Sequence, residues 1–326
     1  METDSDTVLV TGGAGFVGSH LVDALLQRGL RVLVVDNVTT GFVENLPKSR
    51  MMTLLRTDVR HATRLNEIIS RERPGVIFHL AAPIPNKVGH AIRYSSSSPQ
   101  IMTDVVVKGA LNVLEAAKKT HSRVMVVSSA AIYGSSPKST VCETDFAQPN
   151  SVYGVSKYCS EMYCQLYRSF GLDIRVARLF NAYGPRQRKY LFFDLLWKLR
   201  NNQHKLRLIG DGNQVRDYIH VADVVEAFVK IGMTDSDEWL FNVGSGTARS
   251  VMDVVKKICN TLEIKPKILH TPVPWVGDVG GYSSDVSRLK QKLSWTPTRL
   301  WDHGLTEMIE WFVATFGLPS HSSIRS

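Results

Sequence analysis

Cysteine is sparse in this 326-residue chain: Cys142, Cys159, Cys164 and Cys259 are the full set, and none is spaced like a metal ligand. In a chain long enough to bury a full core they read as reduced packing residues, and no metal site is expected. Any run of about 18 apolar residues is missing, and so is a basic-plus-apolar leader. Membrane insertion and secretion are therefore not expected, and a cytoplasmic protein is. Acidic residues fall short of basic ones, 30 against 39, leaving a formal charge of +9. The basic residues are dispersed, with no run longer than Arg186-Gln187-Arg188-Lys189 and no nucleic-acid-binding signature. The excess suits attraction of an anionic diphosphate substrate better than binding of nucleic acid. No repeat or low-complexity linker divides the chain, so one composite unit of two lobes is expected.

What is present begins with short apolar runs rich in β-branched residues, at Val8–Val10, Val32–Val35, Thr53–Leu55, Val76–Leu80, Val124–Val127 and Ile174–Leu179. Helical periodicities separate them, notably Leu21–Gln27, Ile101–Lys118 and Tyr158–Ser169. Strand and helix in alternation predict an α/β fold, a doubly wound parallel sheet covered on both faces, with ligands outside the carboxyl ends of its strands. Beyond Asn181 the alternation weakens, through Leu206–Ile209, Trp239–Val243 and helices at Val251–Leu262 and Leu305–Phe316. A cofactor domain over residues 1–180, with segments near 215–245 returning to it, and a smaller mixed α/β substrate lobe over 181–326 are expected.

Glycines recur at i, i+3 and i+6 in Thr11-Gly12-Gly13-Ala14-Gly15-Phe16-Val17-Gly18, between a strand-like run and a helical one. A side chain there would block a phosphate from the backbone N–H groups of a helix N-terminus, so the turn reads as a dinucleotide cradle. Asp36 ends the second strand, at the distance where a carboxylate reaches adenosine ribose hydroxyls. It would repel a 2′-phosphate, and Asn37 supplies no compensating arginine, so NAD is favoured over NADP. Far downstream, Tyr153-Gly154-Val155-Ser156-Lys157 sets a phenol and an ammonium four residues apart on one helical face.

The two elements together resemble the extended short-chain dehydrogenase/reductase superfamily, with its TGxxGxxG and YxxxK signatures. The likeness continues through His79-Leu80-Ala81-Ala82, Ser128-Ser129-Ala130-Ala131-Ile132-Tyr133-Gly134, Phe180-Asn181-Ala182-Tyr183-Gly184-Pro185-Arg186-Gln187, Gly210-Asp211-Gly212-Asn213-Gln214-Val215-Arg216-Asp217-Tyr218 and Phe241-Asn242-Val243-Gly244-Ser245-Gly246. It implies Ser129, Tyr153 and Lys157 as the catalytic set. It also implies cofactor contacts at Gly12, Gly15, Phe16, Val17, Gly18, Asp36, Asn37, Asp58, Val59, Leu80, Ala81, Ala82, Ser128, Tyr153 and Lys157. A phenol acting as base near neutrality needs its pKa, ordinarily about 10, lowered by about three units, or ~4 kcal/mol. Lys157 and the positive nicotinamide ring are the expected sources.

Relatives that dehydrate or decarboxylate sugars carry acidic groups in the two positions after the catalytic Ser or Thr. Here those are Ala130 and Ala131, and a methyl group transfers no proton. The pattern is similar to nucleotide-sugar 4-epimerases acting on UDP-glucose, UDP-galactose or UDP-glucuronate; a net reductase or dehydrogenase, or a silent NAD-binding scaffold, are the alternatives. The resemblance implies a nucleotide-diphosphate sugar held by Asn181 and Arg216, with Asp278 and Tyr282 beside it, and Arg186 or Arg188 for a uronate carboxylate. It departs from the pattern at Trp275, where a second diphosphate arginine is usual, with Arg249 or Lys267 as substitutes, and at Val106, where an asparagine is frequent. A homodimer through Ile101–Lys118 and Tyr158–Ser169 is expected.

Overall fold

The computed structural model describes residues 6–83, 98–271 and 281–318. Its first half runs β1 (Thr7–Thr11), α1 (Phe16–Gln27), β2 (Arg31–Asp36), β3 (Met52–Arg56), α2 (Ala62–Glu72), β4 (Val76–His79), α3 (Pro99–Met102), α4 (Gly109–Thr120), β5 (Arg123–Ser129), β6 (Thr140–Val141), α5 (Val152–Ser169) and β7 (Ile174–Leu179). The second half runs β8 (Asn181–Tyr183), α6 (Tyr190–Asn201), β9 (Lys205–Ile209), β10 (Val215–His220), α7 (Val221–Met233), β11 (Leu240–Val243), β12 (Ala248–Ser250), α8 (Val251–Thr261), β13 (Lys267–Thr271), β14 (Ser283–Ser284), α9 (Ser287–Leu293) and α10 (Trp301–Phe316).

Seven strands form one sheet in the order β11-β7-β5-β4-β1-β2-β3, every pairing parallel. Alternation along β1 explains the covering. Val8 and Val10 face one core, with Leu21 and Leu25 of α1 and Phe228 of α7. Leu9 faces the other, with Leu65 of α2, Val113 of α4 and Cys164 of α5. Each fully buried Val or Leu contributes about 1.5–3 kcal/mol, so strands sealed on both faces must be almost purely apolar, as these are. The chain leaves β1 through β2 and β3, then returns to β4 on β1's other side. The crevice above β1 and β4 is the switch point where such sheets take ligands.

A third core gathers Phe192, Leu196, Leu206, Tyr218, Val254, Ile258, Met308 and Phe312 beneath the short sheets of the second half. A fourth, small and aromatic, joins Tyr133, Phe180 and Tyr282. The single helix expected across 101–118 is interrupted: Thr103–Lys108 form a π-helical stretch between α3 and α4. Three consecutive valines, Val105 to Val107, crowd the preceding turn there. The Ser160 hydroxyl of α5 donates to the Val106 carbonyl at 3.1 Å, an outside partner at the distorted segment.

Candidate active site

At the glycine-rich turn Gly12 has φ +72°, and a Cβ there would lie 2.9 Å from the Ala81 backbone. A Cβ on Gly18 would stand 2.2 Å from the Gly12 carbonyl oxygen. The turn is thus pressed between the first turn of α1 and the segment Leu80-Ala81-Ala82. Among the described residues no side chain caps α1 at Gly15, which leaves the N–H groups of Phe16, Val17 and Gly18 for an anion. The Asp36 carboxylate accepts from Ala14 N at 2.9 Å and from Val38 N at 2.7 Å, fixing the turn to the end of β2. Burial pushes this carboxyl above its ordinary pKa.

Asn37 donates to Asp58 at 2.7 Å. Asp58 also takes both prongs of the Arg60 guanidinium, which holds its carboxyl well below the usual carboxylate range. Val59 is buried, and its carbonyl accepts from the Asn112 amide at 2.9 Å. Thr11 accepts from Ala81 N at 3.2 Å and pairs with His79 Nδ1 at 2.7 Å; burial, helped by the Lys157 charge, pushes His79 down to about 3. Among the described residues the buried Ser128 hydroxyl has no hydrogen-bond partner. An uncapped helix start, a turn with no room for side chains and an orphaned hydroxyl at the end of β5 fit a dinucleotide.

Ser151 caps α5 through Gly154 N at 3.1 Å, and this sets the first turn that carries Tyr153. The Ser129 hydroxyl lies beside the Tyr153 phenol and favours its ionised form, and Ser129 Oγ accepts from Ala131 N at 3.2 Å. One turn on, Lys157 Nζ stands 5.8 Å from the Tyr153 ring centre and donates to the Val127 carbonyl at 2.6 Å. The sequence reading expected Lys157 to lower the phenol's pKa. In the protein alone burial dominates instead and, with the nearby Tyr190 phenol, pushes Tyr153 upward. The same burial pushes Lys157 down to about 8, against the pull of Glu161.

On the substrate side, Asn181 donates to the Asp217 carbonyl at 3.1 Å, where β8 runs beside β10. Arg216 is half-buried, its guanidinium destabilised by burial and favoured by the neighbouring Tyr218 and Tyr282 phenols. Tyr282 donates to the Ala130 carbonyl at 3.0 Å, next to the Ser129 end of β5. Arg186 is ion-paired to Asp23 of α1 at 2.7 Å, and Arg188 stacks 4.1 Å from the centre of the Phe42 ring. Both arginines thus have partners, Asp23 and Phe42, although among the described residues Arg186 Nη1 and Arg188 Nε are buried without a hydrogen-bond partner. Asp278, Gly277 and Trp275 lie outside the described residues.

Two features were missed from sequence. Asp217, wholly buried, accepts from the N–H and hydroxyl of both Ser245 and Ser284 and from Gly246 N. It ties the strand of Arg216 to the segment that follows Tyr282. Glu161 and Arg178 form a sealed ion pair at 2.8 Å one helical turn beyond Lys157. The i, i+4 spacing from Lys157 was the available signal.

Residues 8–244 match the model of the NAD dependent epimerase/dehydratase family. The chain belongs to that family. NAD is its cofactor, and its fold is that of the extended short-chain dehydrogenase/reductase epimerases. A putative UDP-glucose 4-epimerase of Methanocaldococcus jannaschii is 32% identical over 315 residues, 93% of this chain and 97% of that one. UDP-glucuronic acid decarboxylase 1 of Arabidopsis thaliana is also 32% identical, over 94% of this chain and 69% of its own. The structure of Thermus thermophilus UDP-glucose 4-epimerase in complex with NAD superposes with a TM-score of 0.85 at 31% identity, covering 94% and 98% of the two chains. No helix among the described residues is long and apolar enough to cross a membrane.

Proposed function

We propose that this family member is a UDP-sugar 4-epimerase working on a neutral hexose, and that it assembles as a homodimer. The observation that carries the reading is the pair of methyl groups, Ala130 and Ala131, directly after Ser129. Ser129 lies beside Tyr153, and neither alanine can supply the additional acid or base that elimination or decarboxylation requires. NAD supplies a hydride acceptor that can return what it took. Tyr153 would remove the proton from the sugar's 4-hydroxyl and later restore it, with Ser129 holding the same oxygen. Lys157 would favour the phenolate by its charge. Arg216 and Asn181 would retain the diphosphate while the 4-keto sugar turns over and presents its other face. The neutral sugar is preferred because Arg186 and Arg188, the residues considered for a uronate carboxylate, are engaged by Asp23 and Phe42.

Incubation with UDP-glucose and a catalytic amount of NAD should give UDP-galactose with no stoichiometric NADH. NADH accumulating in step with product would make it a dehydrogenase, and release of CO2 from UDP-glucuronate would make it a decarboxylase.

A further inference from the structure

Glu161 is 3% exposed, a depth at which a carboxylate needs a firm partner. It has one in Arg178, which grips both oxygens through Nη2 at 2.8 Å and Nε at 3.1 Å. The same guanidinium donates through Nη1 to the Tyr133 phenol oxygen at 2.9 Å and the Glu143 carbonyl at 3.1 Å. The phenol donates onward to Asn242 at 2.7 Å, and Asn242 N donates to the Glu143 carboxylate at 2.7 Å. Arg178 lies on β7 in register with Ser128, and Tyr133 closes the turn that starts directly after Ser129. One buried cation therefore bonds both the helix that carries Tyr153 and Lys157 and the turn that follows Ser129.

We propose that Glu161, clamped by Arg178, is a positioning residue for Lys157: it is the countercharge that keeps the ammonium beside Tyr153 when the positive nicotinamide arrives. This rests on the reading of Tyr153 and Lys157 as the proton-transfer pair. Lys157 and Glu161 lie one turn apart on the buried face of α5, and the other groups around them, including the Arg178 cation of β7, do not supply that charge. From β4 comes His79, buried and uncharged; from β5 comes the neutral Val127 carbonyl. On α5 itself are Tyr153 and Cys164, whose thiol is kept protonated by burial. Of the acids on packed elements, Glu115 of α4 bonds Tyr167, Glu143 faces Asn242 and Arg288, and Asp104 pairs with Lys108 at the surface. Burial already brings the Lys157 ammonium down to about 8, and Glu161 is the main influence opposing that fall. A second positive charge in the same pocket lowers it further.

The test compares Glu161→Gln, Glu161→Asp and Arg178→Lys with the parent enzyme. The first readout is kcat against pH for conversion of UDP-glucose to UDP-galactose. Turnover needs the ammonium, so without the countercharge the alkaline limb should move down by about one pH unit while KM holds. The second readout needs no sugar: absorbance at 295 nm of the NAD-bound enzyme is titrated, each protein minus its own Tyr153→Phe counterpart. The Tyr153 midpoint should rise in Glu161→Gln and rise less in Glu161→Asp. A folded Glu161→Gln enzyme with an unmoved limb and an unmoved phenol midpoint would overturn the proposal. Should that variant not fold, the same two readouts on Glu161→Asp and Arg178→Lys decide it, a smaller shift of the same sign supporting it and no shift in either overturning it. If the parent does not turn over UDP-glucose, the substrate reading fails while the phenol titration still decides the role of Glu161.

Discussion

Lys157 shows at the scale of one residue how its proposed catalytic use opposes stability. Its ammonium titrates near 8 in the folded chain against an ordinary 10.5, so between those values the unfolded chain holds more protons than the folded one. Stability therefore rises with pH across that interval, the reverse of a lysine gaining a partner. Burying the charge costs a net of about 3 kcal/mol below pH 8, its bond to Val127 included. Lys157→Met should be inactive yet melt at a higher temperature at pH 7 without added cofactor, with the gap closing toward pH 10. A lower melting temperature at pH 7 would contradict this. For Tyr153→Phe, turnover should drop at least about 100-fold, the lower end of what a proton-transfer group contributes, with NAD affinity within a few-fold. Residual activity above roughly one per cent would remove the phenol from its role.

At the scale of elements, the glycine-rich turn and α1 are the part most legible in sequence, because three glycines at fixed spacing between a strand and a helix leave one physical use. Gly18→Ala would put a methyl group 2.2 Å from the Gly12 oxygen, so the turn must open, costing about 1–3 kcal/mol. Isothermal titration should show NAD affinity falling at least about tenfold, as 1.4 kcal/mol implies; unchanged affinity would mean that the turn yields freely. The strands and helices of the large sheet were legible for a related reason: burial on both faces enforces apolar runs with clear ends. The π-helical interruption at Thr103–Lys108 was not, because six residues are too few to show its longer period. Sealed charges were also illegible. The i, i+4 spacing from Lys157 marks Glu161 as a neighbour of the ammonium, but nothing local shows that it and Arg178 are buried, since their burial is decided by strands and turns remote in sequence. The same holds for Arg186, whose partner Asp23 lies on a helix near the start of the chain.

Across the whole molecule, the loop after β8 is fastened to α1 twice, by the Arg186–Asp23 pair at 2.7 Å and by His20 with the Pro185 carbonyl at 2.9 Å. Arg186→Ala should therefore reduce turnover of any UDP-sugar that the enzyme accepts by a similar factor, neutral or acidic. A selective loss on UDP-glucuronate would restore the arginine as a carboxylate clamp. The proposed dimer would use one side of α5, where Val155, Met162 and Leu166 are exposed at 52%, 58% and 46%, with Ile101 at 51% on α3. Met162→Lys should give a monomer by light scattering at micromolar concentration where the parent is dimeric, and a monomeric parent would dismiss the dimer.

The place of β11 at the sheet edge beyond β7 has a consequence for the chain as the ribosome makes it. When β7 emerges, its outer edge has no neighbour, and α7, which covers that end of the sheet, has yet to be translated. At about 5–20 residues per second, the roughly 60 residues to the end of β11 take about 3 to 12 seconds. For that interval a row of unpaired backbone groups stands open beside an apolar face, the arrangement most prone to pairing with another nascent chain. Premature termination anywhere between Leu179 and Val243 would leave an α/β fragment with that edge exposed, a substrate for chaperones and proteases rather than a free cofactor domain.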